Sequence, residues 1–366
     1  MGLAVLTVNA GSSSLKLRLL GDDDAVLASH DVDPWDGDVV DGLNEAVLEA
    51  DAVGHRVVHG GTDFCGPALL DDETLGRIEA LAPLAPLHQP RSVAGIRAVR
   101  ALLPDTPAVA CFDTAFHATL PAATSTYALP AAWRQRWPLR RFGFHGLSHQ
   151  HAVRRAADLL GRRPDGLRMV TCHLGAGASL CASLGGRSVD TTMGFTPLEG
   201  LVMATRSGSV DPGLVLWLQT EGGLSADEVA DGLERHAGLA GLSGTPGDFR
   251  WLGEGEAAAL AVDVYVHRLR REIAAMVASL GSLDVLVFTG GVGEHQPSLR
   301  AAAARGLGFL GVAVDRQANE ARVADGEITA VGAAVRTFVV TSREDLEIAR
   351  QVRSALADRS EDPARG

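Results

Sequence analysis

The strand pattern of residues 3–32 recurs in residues 168–192, and this repeat limits the folds open to the chain. In both copies an apolar strand is followed by a glycine- or serine-rich turn, a second strand, a tight turn and a third strand. The predicted strands span residues 3–8, 15–20 and 25–32 in the first copy, and 168–173, 180–184 and 187–192 in the second. We therefore expect a duplicated domain. A solenoid is excluded because no short repeat is visible.

Helices fill the spaces between these strands. Apolar residues at helical spacing predict helices over residues 71–81, 91–103, 148–160 and 257–280, and a buried strand over 285–289. Ser148 is a candidate N-cap, and Gly161 and Gly281 are candidate helix stops. Strands mixed with helices indicate an α/β architecture. A chain of 366 residues has room for about two such domains.

Charge and hydropathy exclude several classes of function. The chain has 45 acidic against 33 basic residues and a net charge of -12, so a basic surface for nucleic acid is not expected. No apolar run approaches the roughly 18 residues of a membrane span, and no basic region of a signal peptide opens the chain. We therefore expect a cytoplasmic protein. The four cysteines form no C-x-x-C motif, and Cys111, Cys172 and Cys181 lie in apolar runs, which predicts buried thiols rather than disulfides or zinc ligands.

Three glycine-rich turns, at residues 9–16, 173–179 and 290–294, each follow an apolar strand. Such turns let backbone N–H groups approach an anion closely. None matches the P-loop pattern G-x-x-x-x-G-K-[ST], and each alone is typical of an ordinary turn. The first contains Lys16, the only lysine in the chain. A compact ammonium suits a narrow phosphate pocket better than a guanidinium does, so the three turns together indicate binding of nucleotide phosphates.

Two arginines stand in uncharged surroundings, Arg56 in GHRVVHGG and Arg206 in TRSG. An arginine is most often a solvated surface charge, but these two lack the charged neighbours of a surface segment. A carboxylate or a phosphoryl group is the natural partner of such an arginine. Asp113 ends an apolar run, where a carboxylate can orient an arginine, accept a proton or cap a helix.

Two further groups of polar residues are ambiguous from the sequence. Glu344 and Asp345 open the last predicted helix, where they can favour the helix dipole or bind a cation. His145 lies near His149 and His151, but no cysteine or further carboxylate completes a zinc set. A satisfied core or loop histidine is the alternative.

The motifs and their order resemble the acetokinase (acetate kinase) family of the acetate and sugar kinase/Hsp70/actin superfamily over nearly the whole chain. The segments that carry the resemblance are VNAGSSSLK (8–16), GHRVVHGG (54–61), FDTAFH (112–117), FGFHGLSH (142–149), HLGAGASL (173–180), DTTMGFTPLEGLVMATRSG (190–208), GLSGTPGDFR (241–250), FTGGVGE (288–294) and EDLEIAR (344–350).

The resemblance implies two actin-like ATPase (ribonuclease H-like) domains of βββαβαβα type with an interdomain cleft. Their expected bounds are residues 1–116 plus 345–366 for the acyl-binding side and 117–344 for the nucleotide-binding side. It also implies reversible in-line transfer of the γ-phosphoryl group of ATP to acetate, giving acetyl phosphate and ADP. The implied cofactor is Mg²⁺, or Mn²⁺ in its place, and the implied assembly is a homodimer.

The same resemblance assigns roles to individual residues. The implied catalytic residues are Asp113, His145 and Arg206, with Asp113 orienting arginines or acting as acid and base. Arg56 would bind the acetate carboxylate, and a methyl-sized pocket would be lined by Val58, Leu87, Phe144 and Pro197. Asn9 and Glu344 would hold the metal. The nucleotide would contact Ser12, Ser14, Lys16, His173, Gly175, Gly177, Asp248, Phe249, Arg250, Gly291, Val292, Gly293, Glu294 and His295.

The chain departs from the family pattern at three places. Ala176 replaces the asparagine of the family's HLGNG, which leaves open the phosphoryl donor. Ser209 replaces an acid beside Arg206, and Gln89 replaces the asparagine of His-Asn-Pro. Alternatives are therefore a kinase for propionate or butyrate, a kinase with pyrophosphate or polyphosphate as donor, and a catalytically weakened nucleotide-binding regulator. An Hsp70-type chaperone is disfavoured because 366 residues leave no room for a peptide-binding module.

Overall fold

A computed structural model describes residues 2–11, 14–35, 37, 45–322 and 324–361. The chain divides into two compact units. The first comprises Met1–Ala118, Phe144–His151 and Arg343–Gly366, and the second comprises Thr119–Gly143 and Ala152–Ser342. Residues 144–151 thus group with the first unit, and the domain bounds at 116/117 and 344/345 stay a prediction.

The elements of the described residues follow in chain order. The strands are β1 (Val5–Ala10), β2 (Leu15–Leu20), β3 (Val26–Val32), β4 (Ala52–Val57), β5 (Ala68–Leu69), β6 (Ala108–Phe112), β7 (Arg168–Leu174), β8 (Ala178–Leu184), β9 (Arg187–Thr191), β10 (Val285–Thr289), β11 (Gly326–Glu327) and β12 (Arg336–Val339). The α-helices are α1 (Asp72–Ala80), α2 (Gln89–Leu102), α3 (Ala122–Ser125), α4 (Ala131–Arg136), α5 (Gly146–Leu159), α6 (Pro212–Thr220), α7 (Ala226–Arg235), α8 (Gly238–Ser243), α9 (Glu256–Leu280), α10 (Gly290–His295), α11 (Pro297–Arg305), α12 (Arg316–Ala321) and α13 (Glu344–Glu361). Short 3-10 turns span Glu45–Leu48, Ala82–Leu84, Ala115–Thr119 and Gly308–Leu310.

The first unit contains a six-stranded sheet in the order β3-β2-β1-β4-β6-β5. Strands β1, β4 and β6 are parallel, whereas β2, β3 and β5 pair with their neighbours antiparallel. Apolar side chains cover both faces of β1, because alternate residues of a strand point to opposite faces. Leu6 and Val8 pack with Val99 of α2, and Val5 packs with Ile348 of α13. The sheet is therefore a buried layer between α2 and α13.

The second unit repeats this topology in the order β11-β12-β10-β7-β8-β9. Strands β7, β10 and β12 are parallel, and β8 and β9 extend the sheet antiparallel. The long helix α9 packs on β8 and buries Tyr265, Leu269 and Ile273. The predicted α/β class and the duplicated strand pattern are confirmed by the matching strand orders.

Most predicted elements are present, and one predicted cap is wrong. Helix α9 ends before Gly281, which has a positive φ of 76°, as expected for a C-terminal glycine. Helix α5, however, begins at Gly146, so Ser148 lies inside the helix and is not its N-cap. The start is shifted because His145 has a left-handed φ of 56° and the Gly146 N–H donates to the Asp113 carbonyl at 2.8 Å.

The remaining composition-based predictions concern membranes and cysteines. Within the described residues, no helix combines the length and the hydropathy needed to span a bilayer. Cys111, Cys172 and Cys181 are buried free thiols, and burial raises the pKa of Cys181 to about 12. Cys65 is a free thiol at an exposed position.

A close approach of α13 to β4 depends on the glycine at position 54. A Cβ atom there would lie 2.4 Å from Ile348 Cγ2 and 2.7 Å from Val352 Cγ2. We expect Gly54→Ala to lower the free energy of unfolding by about 1–3 kcal/mol, as overpacking in a core does. Denaturant titration measures this. Gly76→Ala in α1 is the control, since no atom lies within 4 Å of its Cβ; equal stability of both variants would contradict the expectation.

Candidate functional site

Three polar residues of the first unit lie at the carboxyl ends of its parallel strands. Asn9 is the penultimate residue of β1, Arg56 that of β4, and Asp113 follows β6 directly. The register places Val8 beside His55 and Arg56 beside Cys111, so these three ends are adjacent in the sheet. Ligands of open α/β sheets bind outside this edge. The predicted site residues Asn9, Arg56 and Asp113 are therefore brought together.

Arg56 and Asp113 form a close ion pair. Arg56 Nη2 donates to Asp113 Oδ2 at 2.6 Å, and Nε lies 3.2 and 3.1 Å from the two carboxylate oxygens. The Asp113 side chain is 1% exposed and that of Arg56 17%. Burial alone would lower the pKa of Arg56, but the charges of Asp113 and Glu344 raise it above its ordinary value. The guanidinium is thus a fixed, permanent cation.

Asn9 and Glu344 complete this cluster from β1 and the first turn of α13. Asn9 Oδ1 accepts from Arg56 Nη1 at 3.1 Å, and Asn9 Nδ2 donates to Glu344 Oε2 at 3.2 Å. Glu344 Oε2 also lies 3.7 Å from Arg56 Nε. Mg²⁺ takes few protein oxygens and keeps several waters, and Asn9 and Glu344 can supply one amide and one carboxylate oxygen, although the Asn9 atom that faces Glu344 here is Nδ2. The residues present therefore fit the implied metal.

Lys16 and the first glycine-rich turn lie beside Asn9. Lys16 is paired with Asn9 across β1 and β2, so their side chains share one face of the sheet, and Lys16 is exposed. The turn closes with a hydrogen bond of 2.7 Å from the Gly11 N–H to the Ser14 carbonyl. Ser12 lies outside the described residues.

The segment Phe144–His145 leads into α5 with a strained backbone. His145 is one of two non-glycine residues with positive φ in the described chain. That conformation costs energy and occurs often at functional sites. The Phe144 carbonyl lies 3.1 Å from His117 Nε2, and the Phe144 ring packs edge-on against His59 at 5.5 Å. The backbone that leads to His145 is thus held by contacts of Phe144 with His117 and His59.

Of the predicted pocket residues in the first unit, two are buried and one is exposed to solvent. Val58 is 5% and Phe144 1% exposed, whereas Leu87 is 46% exposed. Gln89, which replaces the asparagine of the family pattern, binds the backbone of His59. Its Oε1 accepts from the His59 N–H at 3.2 Å, and its Nε2 donates to the His59 carbonyl at 3.0 Å. The longer glutamine side chain therefore fixes the backbone next to Val58.

His55 lies on the opposite face of β4 from Arg56 and is 1% exposed. Its Nδ1 has no hydrogen-bond partner among the described residues. Burial lowers the pKa of His55 from 6.5 to about 3 and that of His59 to about 4. Both imidazoles are therefore neutral in the folded protein near pH 7.

A pH dependence of stability follows from these two histidines. As pH falls below 6.5, the unfolded chain binds protons that the folded chain excludes until about pH 4 for His59 and pH 3 for His55. We expect the free energy of unfolding to fall from pH 6.5 towards pH 4, and His55→Leu to make this decline shallower. Urea titrations at pH 8, 6, 5 and 4 measure it. A variant with the same pH slope as the parent would contradict the expectation.

In the second unit, two glycine-rich turns meet at the carboxyl ends of β7 and β10. Gly290 has a φ of 77°, and a Cβ there would lie 2.7 Å from the Leu174 carbonyl oxygen, so glycine is required. The turn after β7 is closed by a 3.0 Å hydrogen bond from the Gly175 N–H to the Gly177 carbonyl. Gly291 is exposed beside them. His173, Gly175, Gly177 and the residues of α10 are thus brought together, and their contact with a nucleotide stays a prediction.

A buried arginine that the sequence analysis did not select supports α10. Arg300 is fully buried and donates to the carbonyls of Gly293 and Glu294 at 2.8 and 2.7 Å, and to Asn319 Oδ1 at 2.7 Å. Burial, with some repulsion from Arg322, lowers the pKa of Arg300 to about 10, so it stays charged at neutral pH. Arg300 thus fixes the C-terminal half of α10 through these carbonyl groups and, within the described chain, donates no hydrogen bond to its N-terminal glycines.

The predicted nucleotide contacts at residues 248–250 form a local loop. Arg250 Nη2 donates to Asp248 Oδ2 at 2.5 Å, and the Phe249 ring packs against Tyr265 at 5.0 Å. The hydrogen bond lowers the pKa of Asp248 and raises that of Arg250. His295, at the end of α10, is exposed.

Arg206 stands in a loop and contacts Pro197. Its Nη1 donates to the Pro197 carbonyl at 2.8 Å. Its backbone is closely packed, since a Cβ at Gly238 would lie 2.7 Å from the Arg206 carbonyl oxygen. Burial lowers the pKa of Arg206, and Glu234 only partly opposes this. A half-buried guanidinium that donates to a carbonyl is suited to an anionic ligand.

Three residues that hold the loop containing Pro197 were also not selected as site residues from the sequence. Arg141, Tyr127 and Glu199 are joined by hydrogen bonds of 2.5 and 2.6 Å. Glu199 lies within the resembling segment 190–208, but no feature of the sequence distinguishes it from a solvated acid. The pairing joins residues 58 and 72 positions apart, which periodicity does not detect.

Comparisons with known proteins agree with this geometry. A sequence profile of the acetokinase family matches residues 37–350. An acetate kinase of Synechococcus sp. (strain JA-2-3B'a(2-13)) is 49% identical over 327 residues, which are 88% of this chain and 80% of that protein. The crystal structure of Porphyromonas gingivalis acetate kinase has a TM-score of 0.89 at 35% identity, covering 97% of this chain and 100% of that one.

A propionate kinase from Francisella tularensis subsp. tularensis SCHU S4 is similar to a comparable degree. Its crystal structure has a TM-score of 0.88 at 32% identity, covering 96% of this chain and 99% of that one. The family match spans well over half of the chain, and the relatives are matched over most of their own length. This chain belongs to the acetokinase family.

Proposed function

We propose that this chain transfers the γ-phosphoryl group of ATP reversibly to acetate, giving acetyl phosphate and ADP. The observation that carries the proposal is Arg56, a fixed cation at the strand edge whose Nε and Nη2 are oriented by Asp113. Each terminal nitrogen of a guanidinium has two N–H groups, so a carboxylate can be bound there in a defined orientation. Membership of the acetokinase family supports the same reaction.

The acid is held by the first unit. Arg56 binds the carboxylate, and the buried side chains of Val58 and Phe144 with the exposed Leu87 receive the methyl group. Pro197 stays a further predicted pocket residue. One carboxylate oxygen attacks the γ-phosphorus while the bond to the bridging oxygen of ADP breaks, so no proton is removed from the nucleophile. Asp113 therefore orients Arg56 and is not required as a base.

Phosphoryl transfer is catalysed mainly by placement and by cations near the transferred oxygens. We assign Arg206 and His145 to the equatorial oxygens and Lys16, with Ser12 and Ser14, to the phosphates. The turns around Gly175, Gly177 and Gly291–His295 and the loop 248–250 bind the nucleotide. The strain at His145 and the polar but uncharged contact of Arg206 support these roles.

Asn9 and Glu344 are the residues that would hold Mg²⁺, or Mn²⁺ in its place. When bound, such an ion neutralises phosphate charge and orients the phosphates. In the structure the Asn9 amide oxygen accepts from Arg56 and its Nδ2 donates to Glu344, so both side chains would give up these contacts to ligate the ion.

The acyl chain and the phosphoryl donor are tested together. With Mg²⁺ and ATP, we expect ADP release to require an acid and to be fastest with acetate, then propionate, then butyrate. One methylene in a pocket changes selectivity by about 1–3 kcal/mol. Pyrophosphate in place of ATP tests the consequence of Ala176. ADP release that is equal with and without acid would overturn the proposal, and faster turnover with propionate would change the substrate to that acid.

We further propose a cytoplasmic homodimer, consistent with ATP as co-substrate and with the resemblance. Helix α6 supplies the contact with a second copy, since none of its residues is buried within the chain. Leu214, Leu216 and Trp217 are 46%, 62% and 55% exposed. Exposed apolar patches of this kind mark protein interfaces, and a two-fold axis pairs the same patch on both copies.

Trp217→Glu is expected to convert the dimer into a monomer, because it places a charge in an apolar contact. Light scattering coupled to size-exclusion chromatography measures the mass. Trp133→Glu is the matched control, since Trp133 of α4 is also half exposed, at 52%. A dimer that persists in Trp217→Glu, or dissociates equally in both variants, would contradict the assignment of α6.

A further inference from the structure

The loop that accepts Arg206 is held by a network of Tyr127, Arg141 and Glu199, here called the Arg141 network. Arg141 Nη2 donates to Glu199 Oε1 at 2.6 Å, and Tyr127 Oη donates to Glu199 Oε2 at 2.5 Å. The Tyr127 oxygen in turn accepts from the Phe195 N–H at 2.9 Å. Both carboxylate oxygens of Glu199 are thus bound by separate donors.

Arg141 also binds the backbone at the start of this loop. Its Nη1 lies 3.1 Å from each of the carbonyl oxygens of Thr191, Thr192 and Met193. Thr191 is the last residue of β9, and Thr192 and Met193 follow it where the chain leaves the sheet. The adjacent segment adds two bonds, from the Phe142 and Gly143 N–H groups to the Gly194 carbonyl at 3.0 and 3.3 Å. The loop of residues 191–199 is therefore fixed at its start by Arg141 and at its end through Glu199.

Space for the network depends on Gly194. A Cβ atom there would lie 1.7 Å from Glu199 Oε2 and 2.2 Å from Tyr127 Oη. The Arg141 side chain is 17% and that of Glu199 34% exposed, so the ion pair is largely shielded from solvent. A lysine cannot replace Arg141, because a single ammonium lacks the planar fork that reaches Glu199 and three carbonyls together.

The residue that receives the guanidinium of Arg206, Pro197, lies within this loop. Pro197 lies between Phe195 and Glu199, which are both bound by the network, and its carbonyl accepts from Arg206 Nη1 at 2.8 Å. Arg206 donates to a carbonyl and not to a carboxylate in this contact. The orientation of its guanidinium therefore depends on where the loop places the Pro197 carbonyl.

We propose that Arg141 is a positioning residue for the phosphoryl transfer, acting through Glu199 and the 191–199 loop to place the Pro197 carbonyl that orients Arg206. Arg141 does not touch substrate in this account. The inference rests on the proposed function, since it assigns Arg206 to the transferred phosphoryl group.

The test is a double-mutant cycle between Arg141→Gln and Arg206→Ala. A displacement of about 1 Å at a catalytic group can cost about 10²-fold in rate, so we expect Arg141→Gln to lower kcat by about that factor and to change the KM for acetate less than threefold. In the Arg206→Ala background, Arg141→Gln should have no further effect on kcat. Arg271→Gln, at an exposed ion pair of α9, is the matched control and should match the parent.

Tyr127→Phe and Gly194→Ala perturb the same network and replace Arg141→Gln in the test if that variant does not fold. Tyr127→Phe removes one hydroxyl, and Gly194→Ala inserts a methyl into the Tyr127–Glu199 contact; both should lower kcat and be silent in the Arg206→Ala background. A loss of the same factor in both backgrounds, or a change in KM alone, would overturn the proposal.

Hydrogen exchange separates this inference from the proposed function. Amides of residues 194–200 should exchange faster in Arg141→Gln than in the parent, whatever reaction the protein catalyses. Unchanged exchange in this loop would overturn the positioning role even if the kinase activity is present. Absence of acetate-dependent turnover in the parent, with faster exchange in the variant, would overturn the proposed function and with it the role in phosphoryl transfer.

Discussion

Replacing Arg206 by alanine is expected to lower kcat by about 10³-fold, the loss typical of removing an arginine that stabilises a phosphoryl transition state. The half-buried guanidinium donates to a carbonyl at 2.8 Å and its pKa is lowered by burial. It is therefore available to an anion that gains charge during transfer. Steady-state kinetics with saturating ATP and acetate measures kcat, and the thermal midpoint should not fall, since no carboxylate is left unpaired.

Arg206→Lys distinguishes charge from geometry. An ammonium keeps the charge but loses the planar fork, so we expect it to recover part of the rate and not all of it. If Arg206→Ala raised the KM for ATP and left kcat unchanged, Arg206 would bind the ground state and the assignment to the transition state would be wrong.

Removal of the Asp113 carboxylate is expected to have the second largest effect. Asp113 is 1% exposed and its oxygens accept from Arg56 Nε and Nη2. Breaking a buried ion pair on one side costs about 3–5 kcal/mol of unfolding free energy, because the remaining charge is left uncompensated. Asp113→Ala should therefore destabilise the protein and, since Arg56 loses its orientation, raise the KM for acetate. Denaturant titration and an acetate titration measure the two effects.

The double variant Asp113→Ala/Arg56→Met separates the two effects. Without the buried cation it should be more stable than Asp113→Ala alone, while acetate-dependent turnover should be lost. A double variant as unstable as the sum of both single variants would show that the pair is not coupled. Asp113→Ala with an unchanged KM for acetate would contradict the orienting role of Asp113.

The strands of both sheets could be predicted because they are indicated by the local pattern of apolar residues. Alternating apolar residues in 15–20 and continuous apolar residues in 285–289 indicate strands, and the repeated strand–turn pattern indicates the duplication. The matching strand orders of the two sheets confirm that pattern. Asn9, Arg56 and Asp113 could be selected individually because each ends an apolar run or interrupts one.

The partners of these residues could not be predicted from the residues alone. Arg56 and Asp113 are separated by 57 positions, and Asn9 and Glu344 by 335, so their contacts depend on strand order and not on local periodicity. The start of α5 at Gly146 depends likewise on the Asp113 carbonyl, which a local capping rule favouring Ser148 does not consider.

The arginines that support the candidate site, Arg300 and Arg141, could not be distinguished by sequence. In a chain with 32 arginines, composition alone makes each one resemble a surface charge. Arg300 and Arg141 each donate to several carbonyl oxygens, and those oxygens belong to backbone brought together by the fold. Side-chain identity therefore selects candidate site residues more readily than the residues that support them.

The most direct test of the proposed reaction is the stoichiometry of its products. The protein is incubated with Mg²⁺, ATP and acetate; ADP is quantified, and acetyl phosphate is trapped with hydroxylamine as the hydroxamate. We predict one acetyl phosphate per ADP in the parent, and a fall of about 10³-fold in the rate at which both products form in Arg206→Ala. ADP without the hydroxamate, or equal ADP in the absence of acetate, would contradict transfer to the carboxylate and identify water as the acceptor.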